Sequence, residues 1–61
     1  MLKAIFKVML YKNKELTEEG KIIEPNDKVD IIEIDQNYVK VRSVIDYYIS
    51  LEQFENAFEE V

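Results

Sequence analysis

The side chains that could act as nucleophiles are few, and no residue type in the chain is suited to activate them. Apart from four tyrosines, the only hydroxyl groups belong to Thr17, Ser43 and Ser50. The chain contains no His and no Cys, so it lacks the commonest general base and the thiolate nucleophile. We therefore predict that the protein is not an enzyme, has no catalytic residues and uses no cofactor.

Carboxylate pairs are the remaining candidates for acid–base chemistry or for binding a metal ion. Asp27/Asp30 and Glu33/Asp35 are such pairs, but a chain with thirteen acidic residues contains close pairs by chance. Glu24, Asp27 and Asp30 lack the alternating ligands and the closing glutamate of a calcium-binding loop. We predict that they form a solvated turn and that the protein has no metal site.

The composition is typical of one small folded domain. The 61 residues are 48% hydrophobic with one Gly and one Pro, which argues against disorder. Lys3 and Lys7 interrupt the apolar residues at the start of the chain, and no uncharged run is long enough to span a bilayer. We predict a single domain over residues 1–61, located in the cytoplasm and not bound to a membrane.

Charge is unevenly distributed along the chain, whose net charge is −5. Residues 1–14 carry four lysines and no acid, whereas residues 50–61 carry four glutamates and no base. Nucleic-acid binding usually requires a basic face, so the acidic net charge argues against it.

Apolar residues alternate with a period of two through much of the chain, which indicates strands. Residues 2–11 predict one strand, and residues 29–44 predict a β-hairpin with its turn at Asp35–Asn37. The alternation slips between Ile31 and Ile32, which a β-bulge would explain. Residues 45–46 predict a bend, and residues 47–49 predict a further short strand.

At Ser50 the period changes to that of a helix. Ser50 and Gln53 have the spacing of a capping box, which predicts that the Ser50 hydroxyl caps the helix. The apolar stripe that we expect to pack on the strands consists of Leu51, Phe54, Phe58 and Val61.

The middle and end of the chain resemble small SH3-like β-barrel proteins of phages and mobile elements. The resemblance covers residues 16–58: Leu16 to Glu24, the hairpin Val29–Val44, Tyr48 to Ser50, and Phe54. The chain lacks Trp and has no aromatic dipeptide in residues 8–20, so binding of proline-rich peptides is not implied. We expect a mainly β (α+β) fold, either an SH3-like barrel or a sheet of three or four antiparallel strands. One C-terminal helix, at about residues 51–60, would close it.

Two groups of residues are candidates for binding a protein partner. Tyrosine supplies a large contact area with little loss of entropy, and three tyrosines lie near the hairpin: Tyr38, Tyr47 and Tyr48. Three glutamates flank the apolar stripe of the helix: Glu52, Glu55 and Glu59. Their alternative role is a solvated helix face, with Lys3, Lys7 or Lys12 as basic neighbours within the fold.

A third candidate surface is the second face of the first predicted strand. Ile5, Met9 and Tyr11 share this face, and a homodimer formed through it would enlarge the core of so short a chain.

These observations favour a small intracellular protein-binding module, such as a phage-encoded modulator or inhibitor that occludes part of a host protein. One alternative is an acidic mimic of nucleic acid that blocks a nucleic-acid-binding protein. Another is a structural subunit of a homo-oligomer.

Overall fold

Residues 1–61 are all described by the computed structural model, and they form seven strands and one short helix. The strands are β1 (Leu2–Ala4), β2 (Val8–Tyr11), β3 (Glu19–Ile23), β4 (Lys28–Ile34), β5 (Tyr38–Ser43), β6 (Ile45–Ser50) and β7 (Phe58–Glu60), and helix α1 spans Leu51–Ala57. The strands pair antiparallel in one sheet of order β3-β2-β6-β5-β4-β1-β7. The fold is mainly β, as predicted, but it has more than three or four strands and the sheet is not closed into a barrel.

The first predicted strand is interrupted. Residues 5–7 separate β1, which pairs with β4 and β7, from β2, which pairs with β3 and β6. The prediction of one strand over residues 2–11 is wrong because its two halves serve distant parts of the sheet. The Ile5 amide donates to the carbonyl of Ala57 at 2.8 Å, which anchors the bend against the end of the helix.

The hairpin over residues 29–44 is confirmed as β4 and β5, together with its bulge. Ile31 lies opposite Val41 and Glu33 lies opposite Lys40, so Ile32 is the additional residue. The next turn differs from the prediction, because Ser43 and Ile45 pair directly and Val44 alone reverses the chain with a φ of 75°.

Helix α1 is shorter than predicted. Ser50 caps it as expected, since its hydroxyl accepts a hydrogen bond from the Gln53 amide at 3.1 Å. The helix ends at Ala57 rather than at about residue 60, because Phe58–Glu60 extend to pair with β1. The Phe54 and Phe58 rings remain 5.3 Å apart, whereas Val61 lies outside the apolar stripe and is exposed.

The core contains apolar side chains only. Its nine buried residues are Ala4, Val8, Leu10, Ile23, Val29, Val39, Val41, Ile49 and Ala57. Leu51, Phe54 and Phe58 pack against this cluster from the C-terminal segment. No helix has the length and hydrophobicity needed to cross a lipid bilayer.

Candidate functional site

One face of the central strands points away from the core and carries a row of aromatic and charged side chains. Tyr11 of β2 lies opposite Tyr48 of β6, which lies opposite Lys40 of β5. Lys40 in turn lies opposite Glu33 of β4. Residues directly opposite each other project from the same side of a sheet, so the row is continuous across four strands.

Three tyrosines lie together on this outer side. The rings of Tyr38 and Tyr48 meet edge to face with 5.4 Å between centroids, and the Lys40 ammonium lies 5.7 Å from the centre of the Tyr48 ring. Tyr11 adjoins Tyr48 through the pairing of β2 with β6. We refer to Tyr11, Tyr38, Tyr48 and Lys40 as the tyrosine face.

A cleft opens beside the tyrosine face because β2 and β6 pair only at Tyr11 and Tyr48 and then separate. Its volume is about 290 Å³. The lining is mostly apolar and comprises Val8, Met9, Tyr11, Leu16, Ile49, Ser50 and Gln53. Helix α1 contributes Gln53, and the helix cap Ser50 lies opposite Tyr38 in the sheet.

The β2–β3 loop supplies one wall of the cleft through Leu16, which has a φ of 62°. This left-handed conformation costs a non-glycine residue about 1–2 kcal/mol. The loop is held by Asn13, whose side-chain oxygen accepts from the amides of Thr17 and Glu18 at 3.1 and 3.0 Å. The Asn13 side-chain nitrogen also donates to the Thr17 hydroxyl at 2.7 Å. The fold therefore stabilises an unfavourable backbone conformation that places Leu16 in the cleft wall.

An ionic group lies next to the tyrosine face on the same side of the sheet. The Arg42 side chain donates to Asp46 at 2.7 Å, and the Lys40 ammonium lies 3.8 Å from the same carboxylate. The hydrogen bond from Arg42, together with the charges of Arg42 and Lys40, lowers the pKa of Asp46, and the pKa of Arg42 is raised in return. This carboxylate therefore pairs with the Lys40 ammonium that lies beside the Tyr48 ring.

Carboxylates border the tyrosine face at the β4–β5 turn and at the start of α1. Desolvation and then the negative charges of Glu33 and Asp35 raise the pKa of Tyr38, against a smaller opposing effect of the Lys14 charge. The Leu51 amide donates to the carbonyl of Asn37 at 3.2 Å, so the helix begins beside this turn, and the exposed Glu52 is the next residue along the chain. We refer to Glu33, Asp35 and Glu52 as the carboxylate rim.

The predicted tyrosines are divided between the two sides of the sheet. Tyr38 and Tyr48 lie together in the tyrosine face, whereas Tyr47 lies opposite the buried Val41 and packs against the core. A Cβ atom added to Gly20 would approach the Tyr47 ring to 2.9 Å, so this glycine provides the space for the ring. Tyr47 therefore packs on the core, whereas Tyr38 and Tyr48 do not.

The predicted glutamates are also divided. Glu52 belongs to the carboxylate rim, and Glu55 is exposed further along α1. Glu59 lies on β7, three strands from β5 in the sheet, and pairs with Lys3 at 3.5 Å. Lys3 is one of the basic neighbours that the sequence suggests for these glutamates, so Glu59 has a partner within the fold.

The residues of the predicted dimer surface do not form one patch. Ile5 lies in the bend after β1, whereas Met9 and Tyr11 line the cleft. Strand β1 has a neighbour on both sides, and β2 pairs fully with β3 but meets β6 only at Tyr11 and Tyr48.

The hydroxyl groups have local structural roles. Thr17 bonds to Asn13, Ser43 accepts from Lys21 at 3.1 Å, and Ser50 caps the helix. No three acidic side chains come together in an arrangement that could hold a metal ion.

Sequence reasoning did not identify the cleft. Alternation along β2 predicts that Met9 lies on the same side of the strand as Tyr11. It does not predict where β2 and β6 separate. The left-handed conformation of Leu16 has no sequence signal, because leucine rarely adopts it. Comparisons with protein-family models, curated proteins and solved structures found no match to this chain.

Proposed function

We propose that this protein is a small protein-binding module that docks on its partner through the tyrosine face and the adjoining cleft. The observation that supports this most directly is the grouping of Tyr11, Tyr38 and Tyr48 on the side of the sheet away from the core. Side chains on that side are not needed to fill the core, and tyrosine is enriched in interfaces. The cleft beside them offers a place for one anchoring side chain of the partner.

The mechanism that we propose is occlusion, by which the module modulates or inhibits its partner. The broadest projection of the molecule measures 27 × 20 Å, so one face covers only a small interface. Interfaces below about 1,200 Å² in total are typical of transient complexes. The tyrosines would act as anchors, while exposed carboxylates raise the rate of encounter with a basic surface.

We also propose an SH3-like relationship for the fold. A long hairpin (β2–β3), a three-stranded meander (β4–β5–β6) and a short helix that returns the chain to pair beside β1 support this assignment. The relationship implies no particular ligand, since the chain lacks Trp.

Affinity capture with the full chain as bait, followed by mass spectrometry, tests the function. The Tyr38→Ala, Tyr48→Ala double variant should lose the partner, because truncating anchor residues typically costs more than about 1 kcal/mol each. The matched control is Ile45→Ala, which alters a 58% exposed apolar residue outside the tyrosine face and should retain the partner. Thermal unfolding of both variants verifies that they fold. A partner retained by the tyrosine variant, or no specific partner for any bait, would count against the proposal.

A second candidate is an acidic mimic of nucleic acid, and the carboxylates support it. Glu24, Asp46 and Glu59 take part in ion pairs, which leaves ten of the thirteen acidic residues without one. A mimic should bind its partner with a steep dependence on salt concentration, as nucleic acid does. Binding anchored by the tyrosines should depend less steeply on salt, because only the carboxylates beside the tyrosine face meet cations of the partner.

A further inference from the structure

We propose that the cleft receives one apolar side chain from a basic segment of the partner, whose flanking lysines or arginines meet the carboxylate rim. This inference rests on the proposed binding function and specifies the chemistry of the partner.

The cleft has the size and lining for a side chain rather than for a free small molecule. Its volume of about 290 Å³ lies just below the range of about 300–1,000 Å³ that is usual for small-molecule sites. Five of its seven lining residues are hydrophobic, and of the two polar ones the Ser50 hydroxyl already accepts a hydrogen bond from the Gln53 backbone amide in the helix cap. The Gln53 side chain is the polar group that remains in the lining. An aliphatic or aromatic side chain therefore fits it better than a polar group.

The cleft is also formed before any partner binds. Asn13 holds the β2–β3 loop with Leu16 in its left-handed conformation, so the wall does not have to be ordered during binding. Strained residues in an over-determined setting are found at binding sites, where preorganisation lowers the cost of association.

The charges near the cleft indicate which residues of the partner flank its apolar side chain. None of the carboxylates of the rim, Glu33, Asp35 and Glu52, takes part in an ion pair. Glu15 and Glu18, on the loop that carries Leu16, also lack one, but the unpaired Lys12 and Lys14 of the same segment balance their charge. The excess of negative charge therefore comes from the carboxylate rim beyond Tyr38, which a cationic segment extending from the cleft would neutralise.

The tyrosine face is suited to the same kind of segment. Lys40 already places an ammonium group 5.7 Å from the Tyr48 ring, so a cation is accommodated on this face. Tyr38 lies on the side of the rim, and its ring can offer the same type of contact to a lysine or arginine of the partner.

The test is an NMR titration of the isotopically labelled full chain with three synthetic pentapeptides. The probe is acetyl-Lys-Arg-Leu-Lys-Arg-amide; one control replaces Leu with Ser, and the other replaces the four basic residues with Glu. At about 1 mM, where even a binding free energy near −4 kcal/mol gives half occupancy, the probe should shift the amides of Met9, Leu16 and Gln53. Both controls should give at most a fifth of these shifts.

Matched variants distinguish the effect of the carboxylate rim on binding from the effect of the net charge of the protein. The double variant Glu33→Gln, Glu52→Gln should bind the probe about threefold or more weakly, which is the order expected for the loss of two exposed ion pairs. Glu24→Gln with Glu60→Gln removes the same charge after β3 and on β7 and should have a smaller effect. Equal shifts from the probe and either control, shifts elsewhere in the chain or no shifts would overturn the inference. If the tyrosine variant still loses a captured partner in that case, the proposed function stands; if it does not, both fall.

Discussion

At the residue scale, the most unusual position is the tip of the β5–β6 turn. Val44 has a φ of 75° and is 91% exposed, so it combines backbone strain with an apolar side chain in solvent. A β-branched residue is a rare outlier in this region of conformational space. The turn reverses the chain with this one unpaired residue, which leaves no neighbour to share the distortion.

Replacing Val44 with glycine should therefore stabilise the protein. Relief of about 1–2 kcal/mol of left-handed strain exceeds the 0.5–1 kcal/mol by which glycine favours the unfolded chain, so a net gain of about 0.5–1 kcal/mol is expected. Urea unfolding measures this gain as a higher midpoint. Val44→Ala is the control, since it keeps a Cβ atom and should recover only part of the gain. A Val44→Gly protein less stable than the wild type would refute the account of the strain.

The ionic group around Asp46 predicts a dependence of stability on acid. Because the pKa of Asp46 is lower in the folded protein than its usual value of about 3.9, the unfolded chain takes up a proton first as the pH falls. The stabilisation by this carboxylate is thus present above about pH 3.9 and is lost as the pH falls through the folded pKa.

NMR titration of the Asp46 carboxyl carbon measures this pKa directly. In the Arg42→Gln variant, which removes the hydrogen bond that lowers it most, the pKa of Asp46 should move back toward its usual value. The same pKa in the wild type and in this variant would show that Arg42 is not the cause.

At the element scale, the junction between β6 and α1 connects the fold to the site. Ser50 ends a strand, caps the helix and lines the cleft, and the neighbouring Leu51 amide is bonded to the β4–β5 turn. The helix that packs Phe54 on the core is thereby also the element that positions Gln53 and Glu52 beside the tyrosine face.

Loss of the cap should be measurable. Ser50→Ala removes the acceptor for the Gln53 amide and should cost about 1 kcal/mol of stability, measured by urea unfolding. Ser50→Thr retains a hydroxyl acceptor and should remain close to the wild type. If the alanine and threonine variants are equally stable, the cap is not what holds the start of α1.

At the scale of the whole molecule, the folded chain has the accessible surface area of a compact small protein. Its accessible area of 4023 Å² is close to the roughly 4,200 Å² expected for a folded monomer of its mass. The edges of the sheet, β3 and β7, carry the charged residues Glu19, Lys21, Glu59 and Glu60. Charges on edge strands oppose edge-to-edge pairing of the sheet with further copies.

Much of this fold was readable from local pattern. The slip between Ile31 and Ile32 predicted the bulge, and the Ser50–Gln53 spacing predicted the cap, because both depend on neighbours in sequence. The end of α1 was not readable: residues 58–61 fit a helix locally, but pairing of Phe58–Glu60 with the distant β1 decides their conformation.

Only part of the site could be predicted from the sequence, for the same reason. Tyr38 and Tyr48 were predicted because both lie on or next to the hairpin, and alternation separates Tyr48 from Tyr47. Tyr11 joins them through pairing between β2 and β6, and Leu16 joins the cleft through a loop held by Asn13. Such contacts depend on the whole sheet.

Chemical-shift mapping of the labelled protein with the partner recovered by affinity capture tests the central claim most directly. The account predicts that the largest shifts fall at the tyrosine face and cleft, at Tyr11, Tyr38, Tyr48 and Ser50, and that Val44, Ile45 and Glu60 remain unchanged. Shifts concentrated at Val44, Ile45 or Glu60, with the tyrosine face unperturbed, would contradict it.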